Sequence, residues 1–239
     1  QIDFRYGDNS DYFRILAPND GVMTVNILAE HSGATAGTMT LYLRNSSTTV
    51  LETWTVNVGA AGSPANNTFT HACTGTEQVY YLNAYNPNVC GVSYQLNYTV
   101  ATPFFGDDLE PNQSSGQSIV ANANTNYDGR LSFDYDDNFD YFKLQAPNDG
   151  VMTVTIEAEH VGLAPTTMGL YLRNSGTTQL ELWTVNVGAN GAPLSNTFTR
   201  TCVGTEDVYY LQPHNTLACG VSYRFNYTVA APFFGDDLE

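Results

Sequence analysis

Val151-Met152-Thr153-Val154-Thr155-Ile156-Glu157-Ala158-Glu159 decides the fold. Met152, Val154, Ile156 and Ala158 are apolar at every second position, with Thr and Glu between them. That two-residue period is the mark of a strand buried on one face. Pro147-Asn148-Asp149-Gly150 in front of it is a turn signal. Outward from this strand, further strands are expected at 130–134, 140–144, 168–172, 180–187, 196–202, 208–211 and 221–229. About eight short strands at this spacing predict an antiparallel β-sandwich of jelly-roll type. No segment sustains a period of 3.6 residues.

The same pattern is written twice. Ala17-Pro18-Asn19-Asp20-Gly21-Val22-Met23-Thr24-Val25 returns at 146–154, and Trp54-Thr55-Val56-Asn57-Val58-Gly59 at 183–188. Pro103-Phe104-Phe105-Gly106-Asp107-Asp108-Leu109-Glu110 returns at 232–239. Every match lies 129 residues on, as Glu239 does from Glu110, without insertion or deletion. About two thirds of the paired positions are identical. A unit this long carries its own core, so the expectation is all-β: two tandem sandwiches. Residues 1–106 form the first repeat. Residues 107–239 form the second, with an acidic lead-in at 107–129 and the opening of a third copy at 235–239. The first copy lacks the lead-in, which predicts a window cut from a longer array.

Composition narrows the function. Apolar residues at 42% suffice for a core, and charged residues at 13% disfavour long solvated helices. Eight Lys and Arg face 24 Asp and Glu, a net charge of −16 that repels nucleic acids and anionic membrane surfaces. No apolar run reaches the roughly 20 residues of a membrane helix.

Each copy carries two cysteines, Cys73 and Cys90, then Cys202 and Cys219. Three pairings are possible, and the repeat favours Cys73–Cys90 and Cys202–Cys219 because each copy should fold alone. Disulfides imply an oxidising, extracellular setting, and each would contribute roughly 3 kcal/mol. Zinc would need Cys-x-x-Cys pairs or nearby His, and neither occurs.

Asp107, Asp108, Glu110 and Asn112 are hard oxygen donors that the fold may bring to Asp134, Asp136, Asp137 and Asp140. Such a set suits Ca²⁺; a solvated acidic linker with turn residues is the other reading. The pair Glu30-His31 returns as Glu159-His160 at a strand end, where a structural role is expected. No Gly-x-Ser-x-Gly elbow or His-Glu-x-x-His helix is present, and the shared acids Glu52 and Glu181 lie on strands without partners nearby. The expectation is therefore no enzyme. The repeated aromatics Tyr42, Trp54, Tyr80, Tyr81, Tyr94 and Tyr98 read as core and cross-strand pairs, or else as an exposed face that stacks on sugar rings. Phe104, Phe105, Phe233 and Phe234 sit at the repeat boundaries and are expected to pack between successive domains.

The run Asp107-Asp108-Leu109-Glu110-Pro111-Asn112, then Gly129-Arg130-Leu131, Asp140-Tyr141-Phe142 and Gly150-Val151-Met152-Thr153-Val154, resembles the bacterial pre-peptidase C-terminal domain family. Val208-Tyr209-Tyr210-Leu211 and Cys219-Gly220-Val221-Ser222-Tyr223-Arg224-Phe225 are similar to its last two strands. The resemblance covers nearly all of the second copy. It implies a secreted jelly-roll-like sandwich, appended to extracellular proteases or repeated in bacterial surface proteins, with calcium near the acidic lead-in in some relatives. The paired cysteines and long loops depart from the family pattern. The expected function is a non-catalytic stalk or adhesive segment of a cell-surface protein, stiffened by calcium. Its partners would be neighbouring repeats and extracellular protein or polysaccharide. The alternative is an accessory substrate-binding region of a secreted hydrolase.

Overall fold

The computed structural model describes all residues except 1, 4–6, 18–20, 75–77, 87–90, 102–104, 107–109, 132–136, 148, 163, 205, 206, 217–219 and 232–239, and the side chains of Cys73 and Cys202. All four cysteine side chains, Phe104, Phe233, Phe234, Asp107, Asp108, Asp134 and Asp136 thus lie outside the described residues. The chain is all-β and divides into two compact units, Gln1–Thr102 and Pro103–Glu239. The second unit begins at Pro103, ahead of the expected Asp107, and so includes Phe105. No helix among the described residues is long and apolar enough to cross a membrane.

The first unit contains β1 (Ser10–Ala17), β2 (Gly21–His31), β3 (Gly37–Asn45), β4 (Val50–Val58), β5 (Ala65–Thr74), β6 (Gln78–Tyr85) and β7 (Val92–Val100). They form two antiparallel sheets, β1-β6-β3-β4 and β5-β2-β7. The second unit contains β8 (Ile119–Ala121), β9 (Tyr127–Leu131), β10 (Phe142–Ala146), β11 (Gly150–His160), β12 (Thr166–Asn174), β13 (Gln179–Val187), β14 (Leu194–Val203), β15 (Asp207–His214) and β16 (Val221–Ala230). Its sheets, β13-β12-β15-β10-β8 and β14-β11-β16-β9, repeat the first unit's order and add one edge strand to each. The lead-in supplies both additions: β8 pairs parallel with β10, and β9 antiparallel with β16. Among the described strand ladders the sandwich is therefore antiparallel except at β8. The strand expected at 130–134 starts earlier, at Tyr127, because β9 takes its register from β16.

Alternation does what the opening strand promises. Met152, Val154, Ile156 and Ala158 on β11 are fully buried in one core, as are Met23, Val25, Ile27 and Ala29 on β2 in another. Full burial of such a side chain contributes about 1.5–3 kcal/mol over exposure for the larger ones. Polar side chains then lock the two sheets of each unit together. Asn196 on β14 accepts from the Asn186 backbone N–H at 2.9 Å and donates to the Asn186 carbonyl at 2.8 Å, imitating a strand partner for β13. Asn67 does the same to Asn57. Trp183 stacks on Phe198 at the same edge, and Trp54 on Phe69. At the opposite edge Tyr94 donates to Asp11 at 2.5 Å and Tyr223 donates to Asp140.

The repeated Glu-His pair is a loop fastener. His160 Nδ1 accepts the Gly162 N–H at 2.9 Å while Nε2 donates to the Ala164 carbonyl, and Glu159 accepts the Gly191 N–H at 2.5 Å. His31 and Glu30 hold Gly33, Thr35 and Gly62 in the same way.

Candidate functional site

The outward positions of the β1-β6-β3-β4 sheet carry an unusual set. Strand alternation sends Leu41, Leu43, Leu82 and Ala84 into the core and leaves Tyr12, Arg14, Tyr42, Arg44, Tyr81 and Tyr85 on the other face. Register makes them neighbours: Arg14 and Arg44 both lie opposite Tyr81, and Tyr12 and Tyr42 both lie opposite Asn83. Tyr12 is 63% exposed. Tyr12, Arg44, Thr48 and Tyr81 line an open groove of about 460 Å³.

The second unit repeats the face with Tyr141, Lys143, Tyr171, Arg173, Tyr210 and His214. Tyr141 and Tyr210 meet edge to face at 6.3 Å, and Tyr171 lies 5.7 Å from His214. Burial, and next the charge of Arg173, hold the His214 imidazole below its ordinary value. Four of the chain's eight cationic side chains, Arg14, Arg44, Lys143 and Arg173, fall on these two faces.

Each central arginine is held flat. Arg44 lies 5.3 Å over the Tyr42 ring and Arg173 5.1 Å over Tyr171. Arg44 donates to the Thr48 carbonyl at 2.9 Å, and Arg173 to the Thr177 carbonyl at 3.0 Å. Arg173 Nε also donates to Gln212 at 2.7 Å. The first unit has the shorter Asn83 there, and the buried Arg44 Nε has no partner among the described residues. Thr48 and Thr177 reach their places with φ of 65° and 64°. A β-branched residue in the left-handed region is strained. Thr177→Gly will therefore raise the stability of the second unit, by about 1 kcal/mol, measured as an increased calorimetric midpoint.

A second cluster lies where the lead-in meets β10. Oxygen atoms of Glu110, Asp137 and Asp140 come within 4.8 Å of one another. Asp140 is fully buried and Glu110 exposed. Asn112 donates its backbone N–H to Glu110 at 3.2 Å, and its buried Oδ1 has no hydrogen-bond partner among the described residues. The Gln113 amide donates to Glu110 and, at 3.3 Å, to Asp137. Of the eight expected ligands, the structure thus brings Glu110, Asp137 and Asp140 together beside Asn112. These are hard donors of the kind that divalent cations such as Ca²⁺ take.

One expectation needs correction. Glu52 and Glu181 do have partners: His71 at 3.2 Å and Arg200 at 2.5 Å reach them from the adjacent β5 and β14, a proximity that sequence distance hides. Phe105, expected between domains, is 2% exposed. Its N–H donates to Ser222, its carbonyl accepts from Arg130, and its ring lies 5.2 Å under Arg224.

The tyrosines that tie each sandwich give it a pH limit. Burial, and next the hydrogen bond to Asp11, push the Tyr94 hydroxyl well above its ordinary value. Burial also raises Tyr209 and Tyr227. The unfolded chain then loses phenolic protons first, near pH ~10, so stability fully present below that pH is lost as pH rises from there through the raised native-state values. Thermal midpoints will fall steeply above about pH 10, and Tyr94→Phe will flatten that fall for the first unit.

No protein-family model and no curated protein sequence matches the chain. Solved structures with a similar course include the tandem CBM22-1–CBM22-2 domain of Paenibacillus barcinonensis Xyn10C, at 9% identity and a TM-score of 0.30, covering 91% of this chain and 82% of that one. Tripeptidyl peptidase 2 matches at 9% identity and a TM-score of 0.33, covering 92% of this chain and 21% of that one. An isomalto-dextranase of Arthrobacter globiformis T6 matches at 9% identity and a TM-score of 0.32, covering 91% and 35%. Likenesses this remote carry no argument about function.

Proposed function

We propose that the chain is a non-catalytic, extracellular repeat segment of a bacterial surface protein that adheres to polysaccharide through the outer Tyr–Arg face of each unit. The observation that carries this reading is the recurrence of that face on both units, cations included, in a chain of net charge −16. Tyrosine offers a flat apolar ring with a polar tip, suited to the ring face of a sugar. An arginine held over such a ring offers a planar fork to carboxylate and other oxygen acceptors. An accessory binding region of a secreted hydrolase would use the same face. A catalytic domain in the same polypeptide would favour that reading, and further copies at the same period favour the surface protein. The resemblance to pre-peptidase C-terminal domains and the disulfides belong to this proposal as an extracellular setting.

Binding of the chain to immobilised xylan, dextran and alginate tests it. Retention on at least one, competed by its soluble oligosaccharides, is expected; no retention on any overturns the reading.

Calcium is the proposed ligand of Glu110, Asn112, Asp137 and Asp140, and would tie the lead-in to β10. Ca²⁺ at a hundred times its dissociation constant will stabilise the second unit by about 2.7 kcal/mol. The first unit, with Asp8 and Asp11 but no lead-in, will not respond. Calorimetry with Ca²⁺ and with chelator measures both, and Glu110→Gln with Asp137→Asn will abolish the shift.

A further inference from the structure

The outer face of each unit repeats one row of side chains across three strands. In the first unit Arg14 on β1 and Arg44 on β3 lie opposite Tyr81 of β6, one on each side of it. In the second unit Lys143 on β10 and Arg173 on β12 flank Tyr210 of β15 in the same way. Two residues along the strands the pattern inverts, with Tyr12 and Tyr42 about Asn83 and with Tyr171 opposite Gln212. A cation–tyrosine–cation row thus crosses the strands beside a row of tyrosines and amides. In the second unit β8 extends the cationic row, where the exposed Val120 lies opposite Lys143.

The four cations of these rows keep their charge uncompensated. The chain has 24 acidic side chains for eight basic ones, so a carboxylate partner is seldom far from any cation. Arg200 has one at 2.5 Å and Arg224 one at 2.6 Å. Arg14, Arg44, Lys143 and Arg173 have none among the described residues. The bonds that Arg44 and Arg173 do make go to neutral oxygens, those of the Thr48 and Thr177 carbonyls and the Gln212 amide. Each row is therefore a local positive field on a chain of the opposite sign.

We propose that these rows recognise an acidic polysaccharide, one built of uronic acid residues, with its chain crossing the strands. This rests on the adhesive reading of the Tyr–Arg face and narrows it to a ligand class. Neighbouring strands lie about 4.8 Å apart, which sets the two cations of a row about 10 Å apart at their Cα atoms. A pyranose residue advances its polymer by about one strand spacing. A ring stacked on Tyr81 or Tyr210 therefore brings the residues before and after it to the two cations, which meet their carboxylates. Each part excludes a class of ligand. Tyrosine alone would serve neutral sugars equally well. Cations alone would serve any polyanion, but a chain of net charge −16 repels polyanions except where such a row outweighs it.

Calorimetric titration of the whole chain with oligogalacturonates and with their methyl esters tests this. Esterification keeps every ring and removes every charge. The acid should bind at least about tenfold more tightly than the ester. Arg14→Gln with Lys143→Gln, judged on protein with the parent's circular dichroism, should remove most of that preference. Polyglutamate, which has carboxylates without rings, should bind far more weakly than the acid. An acid that binds no tighter than its ester, or a preference undiminished in the variant, would overturn the ligand class and leave the adhesive reading in place. Equal binding of polyglutamate would overturn the proposal by showing that the ring is not read. Retention of no polysaccharide, neutral or acidic, would overturn the adhesive reading as well.

Discussion

Gly188→Val will unfold the second unit at temperatures where the first remains folded, and Gly59→Val will do the reverse. A Cβ at Gly188 would sit 1.8 Å from the Ala192 carbonyl oxygen and 2.8 Å from its carbon; at Gly59 it would sit 1.9 Å from the Ser63 oxygen. These are backbone atoms, so no side chain can swing away. Neither strand nor loop is free to retreat. The Gly188 N–H donates to Ala158 and its carbonyl accepts from His160, fixing it to β11 from both sides. The opposing loop is fastened by Glu159 to the Gly191 N–H and by the Asn190 N–H to the Gly162 carbonyl. Relief requires giving up several of these hydrogen bonds, at about 1 kcal/mol each, besides the overpacking itself at about 1–3 kcal/mol. Differential scanning calorimetry should resolve two transitions in the parent chain, one for each buried cluster, and lose one of them in each variant. A single transition shifted alike by both substitutions would show that the two cores melt together.

How much of this is legible in the sequence depends on whether a feature is local. The long strands are, because Met152 to Ala158 and Met23 to Ala29 alternate strictly, and the repeat fixes one copy from the other. β8 is not: Ile119-Val120-Ala121 has no period, and its place comes from β10, more than 20 residues on. The acidic cluster is half legible. Oxygen donors announce themselves, but it is the pairing of the lead-in with the start of β10, including the Tyr141 N–H to the Asn112 carbonyl at 2.8 Å, that brings Glu110 to Asp137 and Asp140. The Tyr–Arg face is half legible for a different reason: repeated tyrosines suggest an exposed aromatic face as one of two readings, and the arginines beside them do not show. In Thr40-Leu41-Tyr42-Leu43-Arg44 the alternation sets Tyr42 and Arg44 on the side away from the two leucines, but it does not say which residues of other strands join them. Arg14 and Arg44 are 30 residues apart and become neighbours only because β6 lies between their strands. The cations, few and repeated at the same offset, are the signal that would complete it.

Arg44→Ala with Arg173→Ala will weaken binding to a long polysaccharide far more than either substitution weakens binding to a short oligosaccharide. Each guanidinium is pre-placed: its ring support and its bond to a strained threonine carbonyl hold it before any ligand arrives. Little side-chain entropy then remains to be lost on binding, so a charge-assisted hydrogen bond from it can deliver about 1.5–3 kcal/mol, roughly ten- to a hundredfold in affinity. Two equivalent faces on one chain add avidity on a polymer that both can reach, by factors of about 10² or more. A single substitution removes that gain while leaving one intact face, so Arg44→Ala alone should nearly match the double variant on polymer yet retain about half the oligosaccharide capacity. Arg→Lys at both positions separates charge from geometry: lysine keeps the cation but not the planar fork, and will restore little. Binding is compared well below the thermal midpoint of each variant, because Arg173→Ala also removes the hydrogen bond to the buried Gln212 and will lower the midpoint of the second unit. Affinity unchanged in the double variant would take the adhesive role away from this face.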